Sequence, residues 1–126
     1  MTQTFSDYLA ERPQNQEDQQ QVRNYTEMLC EALIQDYRSY AARNGFSNSE
    51  PPEYSVQVAN KYLKVWMRDG AHRSIHAFID KKTGEVYKPA SIKAPAKGVR
   101  YNLLDENSRE ECFRRSTWCG SYLYVR

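Results

Sequence analysis

From Val22 to Tyr40 an apolar residue returns every three or four positions: Val22, Tyr25, Leu29, Leu33, Tyr37 and Tyr40. That spacing gathers them on one stripe of a helix, which Met28, Ala32 and Ala41 widen. The helix is expected from about Glu17 to Asn44. Glu17 and Asp18 suit its positive end, and Arg38 and Arg43 its negative end. Asn44-Gly45 supplies a left-handed C-cap, with Phe46 to close it by apolar contact. Upstream, Phe5, Tyr8 and Leu9 predict a short helix over Thr4 to Arg12, capped by Thr4 or Ser6. Pro13 is expected to end it, because the residue before a proline avoids helical backbone. Residues 14–21 are polar and glutamine-rich, a connection into the long helix.

Beyond the Ser47–Pro52 loop the period changes from 3.6 to 2. Tyr54, Val56 and Val58 predict a first strand, and Tyr62 to Arg68 a second, with Leu63, Val65 and Met67 opposite Tyr62, Lys64 and Trp66. Asp69-Gly70 is a hairpin signal. Arg73 to Asp80 reads as the returning strand, with Ile75, Ala77 and Ile79 on one face and Ser74, His76 and Phe78 on the other. A second turn at Lys81–Gly84 leads into Glu85–Lys88. Ser108 and Glu111 have capping-box spacing and predict a short helix carrying Cys112 and Phe113. Tyr122 to Tyr124 suggest a last strand. The expected fold is therefore α+β: one long amphipathic helix on an antiparallel sheet of three to five strands, plus a short C-terminal helix.

The 126 residues fit one domain, with residues 1–16 a loosely attached N-terminal helix and linker. No apolar run approaches the ~20 residues of a membrane span or the length of a secretory core. Three cysteines cannot all pair within the chain and are too few for a disulfide scaffold, which fits a reducing cytosol. The net charge of +2 conceals an asymmetry. Residues 1–60 carry four Arg against nine acids, and residues 61–126 carry fourteen Lys or Arg against seven acids. A basic half suits an acidic partner such as nucleic acid. It is also compatible with two halves that pack together and neutralise one another.

Candidate chemistry is sparse. His72 and His76 are four apart, but on a strand that separates them by about 13 Å, too far for one metal ion. No C-x-x-C unit exists, and Cys112 reads as a half-buried apolar position. Asp80 and Glu85 flank a turn, where acids fix loops. Isolated glycines make no phosphate-cradling cluster, and no cofactor is implied. An enzyme would have to act through His76 with Asp80 or Cys112, for which the sequence supplies no geometry.

The most distinctive segment is Gly84 to Leu103. Lys88, Lys93, Lys97 and Arg100 are spaced three to five apart, with Tyr87 and Tyr101 at the margins. Prolines are expected to keep it extended and free of internal hydrogen bonds. Such an arm can follow a phosphate backbone while Tyr87, Tyr101 or Trp66 stacks on bases. The competing reading fastens it over the sheet through Val86, Ile92, Val99 and Leu103.

Asp80-x-x-Thr83-Gly84-Glu85-Val86-Tyr87-Lys88, followed by Lys93-Ala94-Pro95-Ala96-Lys97 and by Trp118-x-Gly120-x-Tyr122-Leu123-Tyr124, resembles a group of small proteins encoded by tailed bacteriophages. Ile92 stands where that group has tryptophan. The resemblance implies a phage product acting in the cytoplasm of the infected bacterium, or a component of the particle, and carries over no site residues. Three functions compete: a nucleic-acid-binding protein, a protein-binding inhibitor of a host factor or minor virion component, and an enzyme.

Overall fold

The computed structural model describes the backbone of residues 5–124 and the side chains of residues 16–124. Helix α1 spans Phe5–Arg43. It continues through Pro13 instead of ending there, flanked by glutamate, glutamine and arginine, which are good helix formers. The Phe5, Tyr8 and Leu9 stripe and the Thr4 or Ser6 cap lie outside the described side chains. From Val22 onward the expected stripe forms: Val22, Leu29 and Leu33 are fully buried and Ala41 nearly so. Thr26 joins them because its hydroxyl donates to the Val22 carbonyl at 2.7 Å, so no polar group is stranded. Met28 does not widen the stripe and faces solvent.

The helix ends as its sequence dictates, in part. Gly45 takes φ +79°, and the Phe46 N–H reaches back to the Ala41 carbonyl at 2.6 Å, closing a Schellman turn. The Phe46 ring is exposed and makes no apolar closure.

Five strands follow: β1 Glu53–Val58, β2 Tyr62–Asp69, β3 His72–Asp80, β4 Glu85–Tyr87 and β5 Tyr101–Asn102. They pair antiparallel in chain order, a simple meander. Strand β5 has no counterpart in the sequence reading. Two residues are too few to show a period, and its pairing of Glu85 with Asn102 and Val86 with Tyr101 is set by β4.

The register slips once. Val65 pairs with Ala77, but Trp66 pairs with Ile75, so His76 has no opposite number. This bulge inverts the alternation expected for β3. Ile75 moves to the face of Trp66, and Ser74 to that of Met67. The imidazole of His76 turns inward, where an unbulged strand would have placed it on the less buried face.

One sheet face packs on α1. Leu63, Val65, Ala77, Ile79, Val86, Tyr101 and Leu103 form the core with the helix stripe, Cys112, Tyr122 and Leu123. Helix α2 spans Glu106–Arg115 with Asp105 as N-cap. Ser108 is not its cap; its hydroxyl accepts the Asn102 N–H at 2.8 Å, tying α2 to β5. The chain past Gly120 makes a single 3-10 turn, Ser121–Leu123, and not the expected strand. Its position is fixed from α1: the Trp118 N–H donates to Asp36 at 2.9 Å, and the Trp118 ring meets Tyr37 and Tyr40 at 5.1 and 5.4 Å.

Candidate nucleic-acid interface

Among the described residues, no helix covers the second sheet face. Because side chains alternate along a strand, β2 presents Tyr62, Lys64, Trp66 and Arg68 there, in the order aromatic, cation, aromatic, cation. Their partners on β3 are Asp80, Phe78, Ile75 and Arg73. Phe78 is fully buried although it lies on this face. Tyr62 meets it edge-on at 5.6 Å, and Tyr87 of β4 stands opposite it in the ladder and 6.1 Å from Tyr62. Lys64 lies 5.6 Å from the Phe78 ring and donates to the Ile92 carbonyl at 2.9 Å. The 88–100 loop is thereby held against the face.

That loop is not an extended arm. Pro89 and Pro95 form a bridge. Ala96 N–H donates to the Lys88 carbonyl, and both Ala90 and Ser91 N–H groups donate to Ala94. The Ser91 hydroxyl accepts the Lys93 and Ala94 N–H groups at 3.1 and 3.2 Å. Proline withholds one donor per residue but leaves the carbonyls and neighbouring amides to close a hairpin. The Ile92 side chain is 56 % exposed and does not fasten the loop; its carbonyl does, through Lys64.

The seven residues singled out from the sequence are divided among different surroundings. Tyr87 is half-buried on the open face. Lys93 and Lys97 are exposed on the loop, Lys93 beside the carbonyl that anchors it to Lys64. Lys88 leaves the group: its ammonium sits 4.7 Å from the Tyr124 ring, among the C-terminal residues. Arg100 is half-buried with its Nε enclosed and unpartnered. Tyr101 cannot stack on a base, because it is 8 % exposed and belongs to the core beneath α1. Its position in β5, facing inward beside Val86, explains this. Trp66 is not an open platform either. Its indole N–H donates to Gln57 at 2.7 Å, and the Arg73 guanidinium lies 3.7 Å from the ring centroid, covering it.

Arg73 is the residue that the sequence reading missed. A cation–π contact holds its planar fork in place, and directly across the ladder stands a like charge, Arg68. Glu53 neutralises Arg68 at 2.6 Å. Three ion pairs occur among the described residues, Arg23–Glu27, Arg68–Glu53 and Arg115–Glu111, and none uses Arg73 or a lysine. Two acids adjoin the face: Asp80, opposite Tyr62 in the ladder, accepts the Lys82 and Thr83 N–H groups, and Glu85 accepts the Tyr87 hydroxyl. Lys61, 5.4 Å from the Tyr62 ring, extends the positive surface.

The groups considered for catalysis are dispersed. His76 is buried, with Nε2 2.9 Å from the Tyr122 hydroxyl and its ring edge-on to Tyr54 at 5.7 Å. Burial depresses its pKa from 6.5 to about 4. Asp80 is at the far end of β3, engaged with its turn. Cys112 is fully buried, not half-buried, and burial lifts its thiol to about 12. Cys119 and His76 both line a cavity of about 60 Å³ beside Tyr124. Exposed His72 opens β3 opposite Asp69. Among the described residues no three His, Cys, Asp or Glu side chains gather as a metal site, and no helix is long and apolar enough to cross a membrane.

Fold and site together define an α+β meander with a helix on one face and a basic, aromatic surface on the other. Residues 5–125 match the family of unknown function DUF7717, and the chain belongs to that family. No curated protein and no solved structure matches it.

Proposed function

We propose that the protein is a non-enzymatic, phage-encoded binding protein that grips nucleic acid through its open sheet face in the cytoplasm of the infected bacterium. One observation carries the reading. Along the open face Lys61 lies beside half-buried Tyr62, Lys64 beside Phe78 and Arg73 over Trp66, and none of these cations is in an ion pair, while Asp80 is turned to its own turn amides and Glu85 accepts the Tyr87 hydroxyl. Unneutralised cations around partly open rings match the electrostatic and stacking demands of a polyanion that carries bases. The phage setting rests on the likeness of the Asp80–Lys97 segment and the Trp118–Tyr124 ending.

The test is fluorescence anisotropy of labelled nucleic acid across a salt series. Binding should weaken steeply with salt, and replacing Arg73, Lys93 and Lys97 together by glutamine should cost about tenfold or more and flatten the slope. Full affinity in that triple variant would refute the assignment. An affinity pull-down from host lysate provides the second check. Partners lost on nuclease treatment support the proposal, whereas a single host protein that survives nuclease favours a protein-binding inhibitor.

A further inference from the structure

We infer that this face selects single-stranded over duplex nucleic acid, with unpaired bases seated on Tyr62, Tyr87 and the guanidinium plane of Arg73. The inference rests on the nucleic-acid reading above and adds the form of the ligand.

Tyr62, Lys64, Trp66 and Arg68 follow one another on one side of a single strand, β2, about 6.6–6.8 Å apart at the usual strand rise. The open planes along this line are Tyr62 and the Arg73 guanidinium that covers Trp66, with Lys64 between them, so that ring or planar cation and point charge alternate as base and phosphate do along an unpaired chain. A duplex presents only its phosphates to a shallow surface, since its bases are stacked inside. Half-buried rings would then contribute nothing.

The rings are also held ready. Tyr62 is fixed edge-on by Phe78 and by Tyr87, and the Tyr87 hydroxyl is tethered to Glu85 at 3.3 Å. Arg73 is flattened on Trp66, which is itself tied to Gln57. A guanidinium stacked on an indole offers its outer plane to a base and its N–H edges to a phosphate. Rigid platforms of this kind bind with little ordering cost. Lys61 lies beside Tyr62, and Lys64 lies over Phe78, the ring that Tyr62 packs against, where phosphates flanking a stacked base would fall.

The experiment compares labelled oligothymidylate and oligouridylate of about 12 nucleotides, within the range of single-strand sites, with a DNA duplex of equal length. Four proteins are used: the full chain, Tyr62→Leu/Tyr87→Leu, Tyr62→Phe/Tyr87→Phe and Arg73→Lys. Leucine keeps Phe78 covered but removes the π-face, and urea melts verify that each variant is folded. At least one single strand should bind tenfold or more tighter than the duplex. The leucine pair should lose about tenfold or more on the single strand only, and the phenylalanine pair should keep the preference. Arg73→Lys should weaken single-strand binding more than duplex binding. Equal affinity for single strand and duplex, or a leucine pair that keeps the preference, overturns this inference and leaves the nucleic-acid reading standing. Failure to bind either form at low salt overturns both.

Discussion

His76 and Tyr122, 46 positions apart, meet inside the protein with imidazole Nε2 and phenolic oxygen 2.9 Å from one another. The contact exists because the β3 bulge turns the imidazole toward the helix side and the 3-10 turn after Gly120 delivers the phenol. Gly120 is part of the device. It takes φ +86°, and a side chain there would come within 3.6–3.7 Å of the imidazole.

A buried neutral histidine makes stability depend on pH. Burial lowers the folded-state pKa from 6.5 to about 4, so between those values the unfolded chain binds the extra proton. Stability is complete above pH 6.5, declines as pH falls toward 4, and is fully lost to this group below that. The decline is of order 3 kcal/mol. Urea melts at a series of pH values should follow it, and His76→Gln should flatten the profile across that window. A wild-type profile with no slope between pH 6.5 and 4 would count against the buried neutral imidazole.

Two hairpin glycines should answer alanine substitution differently. Gly70, in the β2–β3 turn, has φ +62° with open space where a Cβ would be. Gly84, before β4, has φ +77°, and its Cβ would meet Leu104 Cγ at 3.0 Å, Leu104 N at 3.1 Å and Asn102 Oδ1 at 3.2 Å. Gly70→Ala should cost about 1–2 kcal/mol, the left-handed backbone penalty alone. Gly84→Ala should cost more, because the end of β5 and the β5–α2 connection have to move as well. Denaturation midpoints compare the two directly, and equal losses would contradict the crowding at Gly84.

The contrast between those turns also shows how much of the molecule was legible in its sequence. Regular repetition was readable: Val22, Leu29 and Leu33 announce their helix, and Leu63 and Val65 with Asp69-Gly70 announce β2 and its hairpin. What depends on a partner was not. The slip at His76 exists only in the pairing of β2 with β3, and it reverses the side on which Ile75 lies. Ser108 has the spacing of a cap but satisfies Asn102 because β5 happens to be adjacent. Tyr101 has the composition of a stacking residue and the burial of a core one. Of the site, the basic character and Tyr87 were visible. The Arg73–Trp66 stack was not, because it joins two strands across a hairpin and a register slip.

The three cysteines are all free and should separate by reactivity. Burial pushes Cys30 and Cys112 up to about 12, with Glu27 and Glu31 adding to the effect at Cys30. Cys119 is exposed. Its partial burial acts to raise its pKa, but hydrogen bonds from the Ser121 N–H and hydroxyl and from the Thr117 hydroxyl outweigh that and lower it. A thiolate is the reactive form. Mass spectrometry after brief maleimide treatment at neutral pH should find one label, on Cys119, in the folded protein and three after urea unfolding. Rapid labelling of Cys112 in the folded protein would place α2 elsewhere than against the core.

Among the described residues, Glu53 is the acid that forms an ion pair on the positive face. It pairs with Arg68 at 2.6 Å across the β1–β2 ladder, and Arg68 in turn faces Arg73. An exposed pair of this kind contributes about 0–1 kcal/mol to stability, so Glu53→Gln should barely move the urea midpoint. Its effect on binding has the opposite sign. Freed from the carboxylate, Arg68 becomes available to a phosphate, so the salt dependence of nucleic-acid affinity should steepen by about 0.7–0.9 in log–log slope, the value of one added phosphate contact. Affinity at low salt should rise accordingly. The double variant Glu53→Gln/Arg68→Gln should return the slope to or below its original value, since the released cation is then absent. If Glu53→Gln leaves slope and affinity unchanged, Arg68 lies outside the path of the ligand, and the proposed nucleic-acid surface ends at Trp66 and Arg73.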